Sequence, residues 1–190
     1  GDHSFEVIDF LIREPINTAE SIYLKGNHDE SLLDFITQKY RGGPWYFASY
    51  GTIATLNSYG VKASLFSTDI QQIKEVWKEF CKKLPPTHLN FFQNLRTSFV
   101  LGDYLFVHAG IKPNVPLHLQ KEDDLLWIRE EFLEAEDPHE YIVVHGHTIV
   151  KNVQIMNNRI GIDTGAFMTG KLTCLILEDD KINIVDSLSI

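Results

Sequence analysis

Three short motifs place an imidazole or amide side chain beside a glycine, directly after an apolar run. They are Gly26-Asn27-His28-Asp29, His108-Ala109-Gly110 and His145-Gly146-His147-Thr148. Each apolar run has the length of a buried strand, and ligands of α/β proteins commonly bind where strands end. Imidazole nitrogens and amide oxygens can bind Mn, Fe or Zn. A single histidine at a strand end is usually an ordinary polar residue without a chemical role. With three such strand ends in one chain, a metal site and ordinary polar residues are equally good interpretations.

Taken in order, these motifs and Trp127-Ile128-Arg129 resemble the later motifs of the metallophosphoesterases, the calcineurin-like superfamily. Within that superfamily the chain is most similar to the bacterial serine/threonine protein phosphatases, close to the symmetrical diadenosine tetraphosphatases. The segment Ile162-Asp163-Thr164-Gly165-Ala166 extends the resemblance towards the C-terminal end. Four motifs in a fixed order are more specific than any one of them.

The resemblance implies a hydrolase with two divalent metal ions, of which Mn is favoured over Fe or Zn. In this family a carboxylate and a hydroxide bridge the two ions, and the hydroxide attacks phosphorus. By motif, Asn27, His108 and His147 are expected to be ligands of one metal. His28 is expected to be the catalytic acid that protonates the leaving oxygen. Arg129 is expected to bind the phosphoryl oxygens, because guanidinium is a planar, permanently charged fork.

The other histidines and one aspartate need separate treatment. His145 precedes His147 by two residues, so a strand would place both on one face; it is either a ligand or, as we favour, a group behind the ligands. Asp163 either faces the site or begins a turn. The remaining histidines are expected at the surface; they are His3, His88, His118 and His139.

The first two metal motifs of the family, Gly-Asp-x-His-Gly and Gly-Asp-x-x-Asp-Arg-Gly, do not occur in the sequence. Gly1-Asp2-His3 does not replace the first motif, because its Asp and His are adjacent and no strand precedes them. Gly1 corresponds better to the last glycine of the second motif. We therefore expect residues 1–190 to be the C-terminal three-quarters of a single metallophosphoesterase domain, and the activity of this part by itself stays open.

The pattern of elements predicts a mixed α/β protein, and the resemblance makes it a sandwich of two mixed β-sheets flanked by helices, without the N-terminal strand–helix unit. Residues of about 30–95 are expected to form a helical cap. After Thr97 short apolar runs flank turn residues, which predicts three hairpins. Helices are predicted at 4–13, 30–40, 47–59, 68–83, 88–95 and 123–133, single strands at 21–24 and 141–144, and hairpins at 97–108, 153–162 and 172–185.

Composition limits the partners. The formal charge of −9 argues against binding of a nucleic-acid duplex, which depends on neutralising phosphates. It leaves a phosphorylated substrate open, because metal ions can balance the charge. No apolar run reaches the roughly 18 residues of a membrane span, and the N-terminal residues do not resemble a signal peptide, so no membrane partner is expected. Two cysteines without metal-type spacing fit a reducing compartment, and we predict a cytoplasmic protein.

The resemblance predicts a metal-dependent phosphoesterase, first of all a serine/threonine protein phosphatase acting on a phosphorylated protein or another phosphate ester. One alternative is symmetrical hydrolysis of a dinucleoside polyphosphate, which would need an aromatic or basic pocket for adenine; Arg41 and Trp45 are the nearby candidates. A second alternative follows from the missing first motifs. It is a non-catalytic remnant that binds a partner and releases no phosphate with any metal.

Overall fold

The computed structural model describes residues 1–13, 20–39, 51–62 and 70–189. The chain divides into two compact units. Unit 1 comprises Gly1–Tyr23 and Asn27–Leu95, and unit 2 comprises Leu24–Gly26 and Arg96–Ile190. Unit 1 is helical where it is described, and unit 2 holds the β-sheets, so the predicted α/β class is confirmed. The prediction of a single domain with a cap at about 30–95 stays a prediction.

The described part of unit 1 consists of helices α1 to α5. They are Ser4–Arg13, Asn27–Thr37, Thr52–Ser58, Ile70–Lys83 and Pro86–Gln93. Their apolar stripes meet in one core, in which Phe35, Leu56 and Phe80 are almost fully buried. Residues 40–50 and 63–69 lie outside the described residues, and with them the starts of two of the predicted helices.

His88 corrects one expectation, because it is buried and not at the surface. Its Nδ1 lies 2.9 Å from the Tyr59 hydroxyl, and its Nε2 lies 3.6 Å from Oδ1 of Asp9. The ring of Phe5 packs against both His88 and Tyr59. Because buried polar groups are stabilised only when they are hydrogen-bonded, this chain of contacts explains how a histidine fits into the core under α1.

Unit 2 is built on a five-stranded sheet with the order β1-β2-β3-β5-β4. Strands β2, β3 and β5 run parallel, while β1 and β4 pair antiparallel at the two edges. Strands β6 and β7 form a separate antiparallel pair. The strands β1 to β7 are Ser98–Leu101, Tyr104–Val107, Ile142–His145, Gln154–Ile155, Arg159–Gly161, Thr173–Glu178 and Lys181–Asp186.

All three predicted hairpins are present, as β1–β2, β4–β5 and β6–β7. The short strand predicted at 21–24 is reduced to a single bridge, in which Leu24 pairs parallel with Arg96. The short helices of unit 2 are α6, α7 and α8, which span Glu122–Trp127, Glu130–Leu133 and Ala166–Thr169, together with a 3₁₀ turn at Leu117–Leu119. None of the helices in the described ranges is long and apolar enough to cross a membrane.

The sheet topology decides where polar residues meet. The parallel strands β2, β3 and β5 are neighbours, so their carboxyl ends lie at one edge of the sheet. His108 directly follows β2, His145 is the last residue of β3, and Asp163 comes two residues after β5. The edge that these three residues share is the place to look for a site in unit 2.

Candidate active site

The central feature at this edge is a pair of histidines. His108 Nε2 and His147 Nδ1 lie 3.1 Å apart, and the two rings are steeply inclined, with centroids 4.9 Å apart. The backbone N–H of Gly146 donates to the carbonyl of His108 at 2.8 Å, which fixes the two segments against each other. The parallel pairing of β2 with β3 therefore joins two residues 39 positions apart in the sequence.

The pair fits two positions in the coordination shell of one metal ion. Two nitrogens bound to the same ion at about 2.1 Å lie roughly 3.0–3.4 Å apart, depending on the coordination geometry. The observed separation of His108 Nε2 from His147 Nδ1 falls in that range. The described residues contain no group of three or more His, Cys, Asp or Glu side chains that could hold a metal. Further ligands are therefore required for a complete site.

The backbone of His147 takes an uncommon conformation. Its φ of 63° lies in the left-handed region, which residues other than glycine enter at a cost. Strand β3 ends at His145, and the N–H of Thr148 donates to the Gly146 carbonyl at 2.7 Å. The chain thus turns sharply at the position where a continuing strand would have placed His145 and His147 on one face. His147 instead packs edge-on against Trp127, with the ring centroids 6.0 Å apart.

His145 is enclosed in the interior of unit 2. Only 2% of it is exposed, and its ring stands edge-on to Phe132 with centroids 5.0 Å apart. Burial lowers the pKa of His145 to about 4, so the ring is neutral near pH 7. Its Nδ1 lies 3.1 Å from the Gly146 carbonyl; because a carbonyl only accepts, Nδ1 carries the proton. The ring contacts the core beneath the edge, and its place behind the ligands stays a prediction.

Asp163 begins a turn, which is one of the two arrangements left open by the sequence, and whether it faces the site stays a prediction. Its Oδ1 accepts a hydrogen bond from the Gly165 N–H at 2.9 Å, which begins the turn into α8. Its Oδ2 lies 3.8 Å from the position that a Cβ on Gly146 would occupy. Its backbone carbonyl accepts from the Val150 N–H at 2.8 Å. Asp163 therefore holds the segment after His147 against the end of β5.

Arg129 lies at a break that the sequence pattern does not show. The predicted helix over 123–133 is divided into α6 and α7, because Ile128 is extended, with a ψ of 144°. Tertiary contacts explain the break. The Leu125 carbonyl accepts a hydrogen bond from the Ala109 N–H at 2.9 Å, and Phe132 is fully buried against Gly110. Both ends of the segment are thus tied to the residues that follow His108.

The exposed side chain of Arg129 reaches the loop after β3. Its Nη1 donates to Thr148 Oγ1 at 3.0 Å and to the His147 carbonyl at 3.3 Å. The structure therefore brings Arg129 to the residues beside the histidine pair. Sequence analysis did not identify Thr148 as its partner, and no signal could have done so, because the two residues are 19 positions apart and belong to no shared motif.

Asn27 and His28 are the first two residues of α2 in unit 1. The helix starts three residues earlier than predicted, with Asn27 only 4% exposed and His28 exposed. Asp29 and Glu30 occupy its first turn, where negative charge favours the helix dipole. The assignments of Asn27 as a ligand and His28 as an acid stay predictions. Arg41 and Trp45, the candidates for an adenine pocket, lie outside the described residues.

Comparison with known proteins adds to this geometry. Residues 1–182 match the sequence profile of the calcineurin-like phosphoesterases. A relative from Bacillus mycoides (strain KBAB4), named bis(5'-nucleosyl)-tetraphosphatase PrpE [asymmetrical], is 27% identical, over 92% of this chain and 70% of its own length. A protein of the same name from Bacillus thuringiensis (strain Al Hakam) is 26% identical with the same coverage. A crystal structure assigned as a diadenosine tetraphosphatase has a similar fold, with a TM-score of 0.61 and 17% identity over 96% of this chain and 73% of that one.

Proposed function

The chain belongs to the calcineurin-like phosphoesterase family, and on that basis we propose that it hydrolyses dinucleoside polyphosphates asymmetrically with the help of divalent metal ions. The family assignment and the calcineurin-like α/β fold predicted from the motifs are confirmed. Members of this family are hydrolases of phosphate esters and generally bind divalent metals. The observation that carries the proposal is the histidine pair beside Arg129 at the carboxyl edge of the sheet.

The proposed metal site uses neutral ligands. His108 and His147 would supply imidazole nitrogens to one ion. The motif that contains Asn27 assigns an amide oxygen to the same ion, and this part of the proposal rests on the family resemblance alone. Mn²⁺ is the proposed ion, because a mixed set of nitrogen and oxygen ligands suits borderline metals. A bound divalent ion would polarise the phosphoryl oxygens and lower the pKa of water. The approach of His108 Nε2 to His147 Nδ1 supports this assignment.

The chain's own side chains have three tasks in this proposal. Arg129 binds phosphoryl oxygens and balances their negative charge. His28, exposed at the start of α2, gives a proton to the leaving oxygen, for which an imidazole is suited near neutral pH. His145 and Asp163 support the turn that carries His147, through their contacts with Gly146 and Val150.

The names of the relatives support the choice of substrate. Both PrpE proteins are named as asymmetrical tetraphosphatases. Asymmetrical cleavage of a dinucleoside tetraphosphate gives a nucleoside triphosphate and a nucleoside monophosphate.

A serine/threonine protein phosphatase is the second candidate, and the order of the four motifs in the sequence favours it. Symmetrical cleavage is the third candidate and a non-catalytic remnant the fourth. A cytoplasmic location remains part of the proposal, supported by the free thiols of Cys81 and Cys174.

One experiment separates these four candidates. The 190-residue chain is incubated with diadenosine tetraphosphate, p-nitrophenyl phosphate or a phosphoserine peptide, in Mn²⁺, Mg²⁺ or chelator, and the products are separated by chromatography. We expect ATP and AMP in equal amounts, with Mn²⁺ required. Two molecules of ADP would indicate symmetrical cleavage, and preference for the peptide a protein phosphatase. No product with any metal would overturn the proposal for this chain. Activity regained when a segment with the two missing motifs is supplied would then indicate an incomplete site, and continued inactivity a non-catalytic remnant.

Two variants test the catalytic acid. His28→Ala should reduce kcat by roughly 10²-fold or more, in the range of a lost general acid. The matched control is His118→Ala, which removes an exposed histidine in the 3₁₀ turn at Leu117–Leu119, a residue outside all four motifs. Equal activity of the two variants would remove His28 from the mechanism.

A further inference from the structure

Within the described part of the chain, the hydrogen bonds of the Arg129 guanidinium are all made by one of its three nitrogens, Nη1. Nη1 donates to two oxygens of one loop, Thr148 Oγ1 at 3.0 Å and the His147 carbonyl at 3.3 Å. The side chain is otherwise exposed. Fixing an exposed arginine side chain in one geometry costs about 2 kcal/mol of rotamer entropy. Contacts must offset this cost if the side chain is to keep one position, and the two hydrogen bonds of Nη1 are those contacts.

The other edge of the guanidinium carries Nε and Nη2, whose N–H bonds point the same way. Among the described residues, both hydrogen bonds of the Arg129 side chain are made by Nη1, and neither Nε nor Nη2 makes one. Two parallel N–H groups match two oxygens of a phosphoryl group. The anchor on Nη1 thus leaves the fork best suited to phosphate turned away from the loop and ready for a ligand.

We propose that Thr148 is a positioning residue, whose hydroxyl fixes Arg129 with its Nε–Nη2 edge presented to the substrate phosphate. The proposal rests on the proposed function and deepens it. The second anchor, the His147 carbonyl, belongs to a residue held in the left-handed conformation. The same contact that orients Arg129 therefore also braces the turn that presents the His147 ring to His108.

The Thr148 hydroxyl is the group to test, because the His147 carbonyl belongs to the backbone and cannot be removed by a side-chain substitution. Thr148→Val keeps the shape of the side chain and removes the acceptor. Thr148→Ser keeps the acceptor and is the matched control. Three quantities are compared with the wild-type chain: the Arg129 guanidinium signals in ¹⁵N NMR spectra, identified with Arg129→Lys, the Kd for inorganic phosphate in the presence of Mg²⁺, and kcat and KM for diadenosine tetraphosphate.

The loss of one hydrogen bond of ordinary net strength, with the second anchor retained, sets the scale of the effect, and we expect Thr148→Val to raise the Kd for phosphate and KM about five- to tenfold. The Nη1 protons of Arg129 should exchange faster, because one acceptor is lost. Thr148→Ser should stay within about twofold of wild type in both constants, because it keeps the acceptor. kcat should change less than KM, because the anchor acts on binding before and during the reaction alike.

Several outcomes overturn the proposal. It fails if Thr148→Val leaves the phosphate Kd unchanged, with or without a change in the Arg129 signals. It also fails if the serine and valine variants weaken phosphate binding equally. If the wild-type chain hydrolyses none of the substrates, the proposed function fails instead, and the guanidinium signals with the phosphate titration still decide the role of Thr148.

Discussion

His147 is held in a backbone conformation that its side chain disfavours, with a φ of 63°. The left-handed region costs a residue with a Cβ about 1–2 kcal/mol, whereas glycine avoids this cost but loses about 0.5–1 kcal/mol through its freer unfolded chain. His147→Gly should therefore be about 0.5–1 kcal/mol more stable than His147→Ala in urea denaturation. Both variants should lose metal-dependent hydrolysis. Alanine matching or exceeding glycine in stability would show that the turn is not under this strain.

The burial of His145 makes the stability of the fold depend on pH. Its pKa falls from 6.5 to about 4 on folding, because the buried ring resists charge. Above pH 6.5 both folded and unfolded chains hold a neutral ring, so its contribution to stability is complete. As the pH falls from 6.5 towards 4, only the unfolded chain takes up the proton, and up to about 3 kcal/mol of stability is lost.

The measurement is urea denaturation at several pH values across this window, with chelator present. His145→Gln is the control, since its amide does not titrate there. We expect the wild-type chain to lose stability more steeply than the variant as the pH falls. Parallel curves for the two proteins would contradict the assignment of this effect to His145.

The segment from α6 to α7 packs closely against the loop that follows β2, where Gly110 contacts Phe132 of α7. A Cβ on Gly110 would lie 2.3 Å from the ring of Phe132, which is fully buried and anchors α7. Gly110→Ala should therefore destabilise unit 2 by a few kcal/mol, in the range of roughly 1–3 kcal/mol for overpacked cores. Gly146→Ala is the matched control, because its Cβ would make only ordinary contacts, the nearest at 3.6 Å.

Thermal unfolding of the two variants tests this argument. Gly110→Ala should melt well below the wild-type chain, and Gly146→Ala close to it. Combining Gly110→Ala with Phe132→Leu should restore part of the loss, because the smaller side chain leaves room for the methyl group. Destabilisation by Gly146→Ala as large as that by Gly110→Ala would show that ring contact is not the cause.

These elements also show what the sequence could and could not predict. The three hairpins were predictable, because each places turn residues between two apolar runs, and the helix at Ser4–Arg13 follows its apolar period. The break at Ile128 was not, because residues 123–133 have a helical pattern throughout. It is imposed by Ala109 and Gly110, which lie in a distant part of the sequence.

The same distinction applies to the candidate site. The approach of His108 to His147 could be expected, since each motif follows an apolar run and the resemblance assigns both residues to one metal. The left-handed turn at His147 could not be predicted from residue type, because histidine enters this region more often than most residues but still in only a small fraction of cases. The hydrogen bond from Arg129 to Thr148 depends on that turn, so it could not be predicted from the sequence either.

On the scale of the whole molecule, the net charge opposes the proposed substrate. The chain carries 17 basic and 26 acidic residues, a formal charge of −9, and a dinucleoside tetraphosphate is itself an anion. Its encounter with the protein is then slowed by repulsion, except where metal ions and Arg129 create a local positive region. Screening by salt weakens repulsion over distances beyond about 8–10 Å, while the contacts within the site are screened less.

We therefore expect kcat/KM for diadenosine tetraphosphate to rise, by about twofold, when monovalent salt is increased from about 20 to about 200 mM at saturating Mn²⁺. p-Nitrophenyl phosphate carries less charge and serves as the matched control, with a smaller rise. A steep fall of kcat/KM with salt would contradict the argument. It would mean that the field at the site is attractive at long range, and hence that the metal ions and Arg129 outweigh the acidic surface of the molecule during encounter.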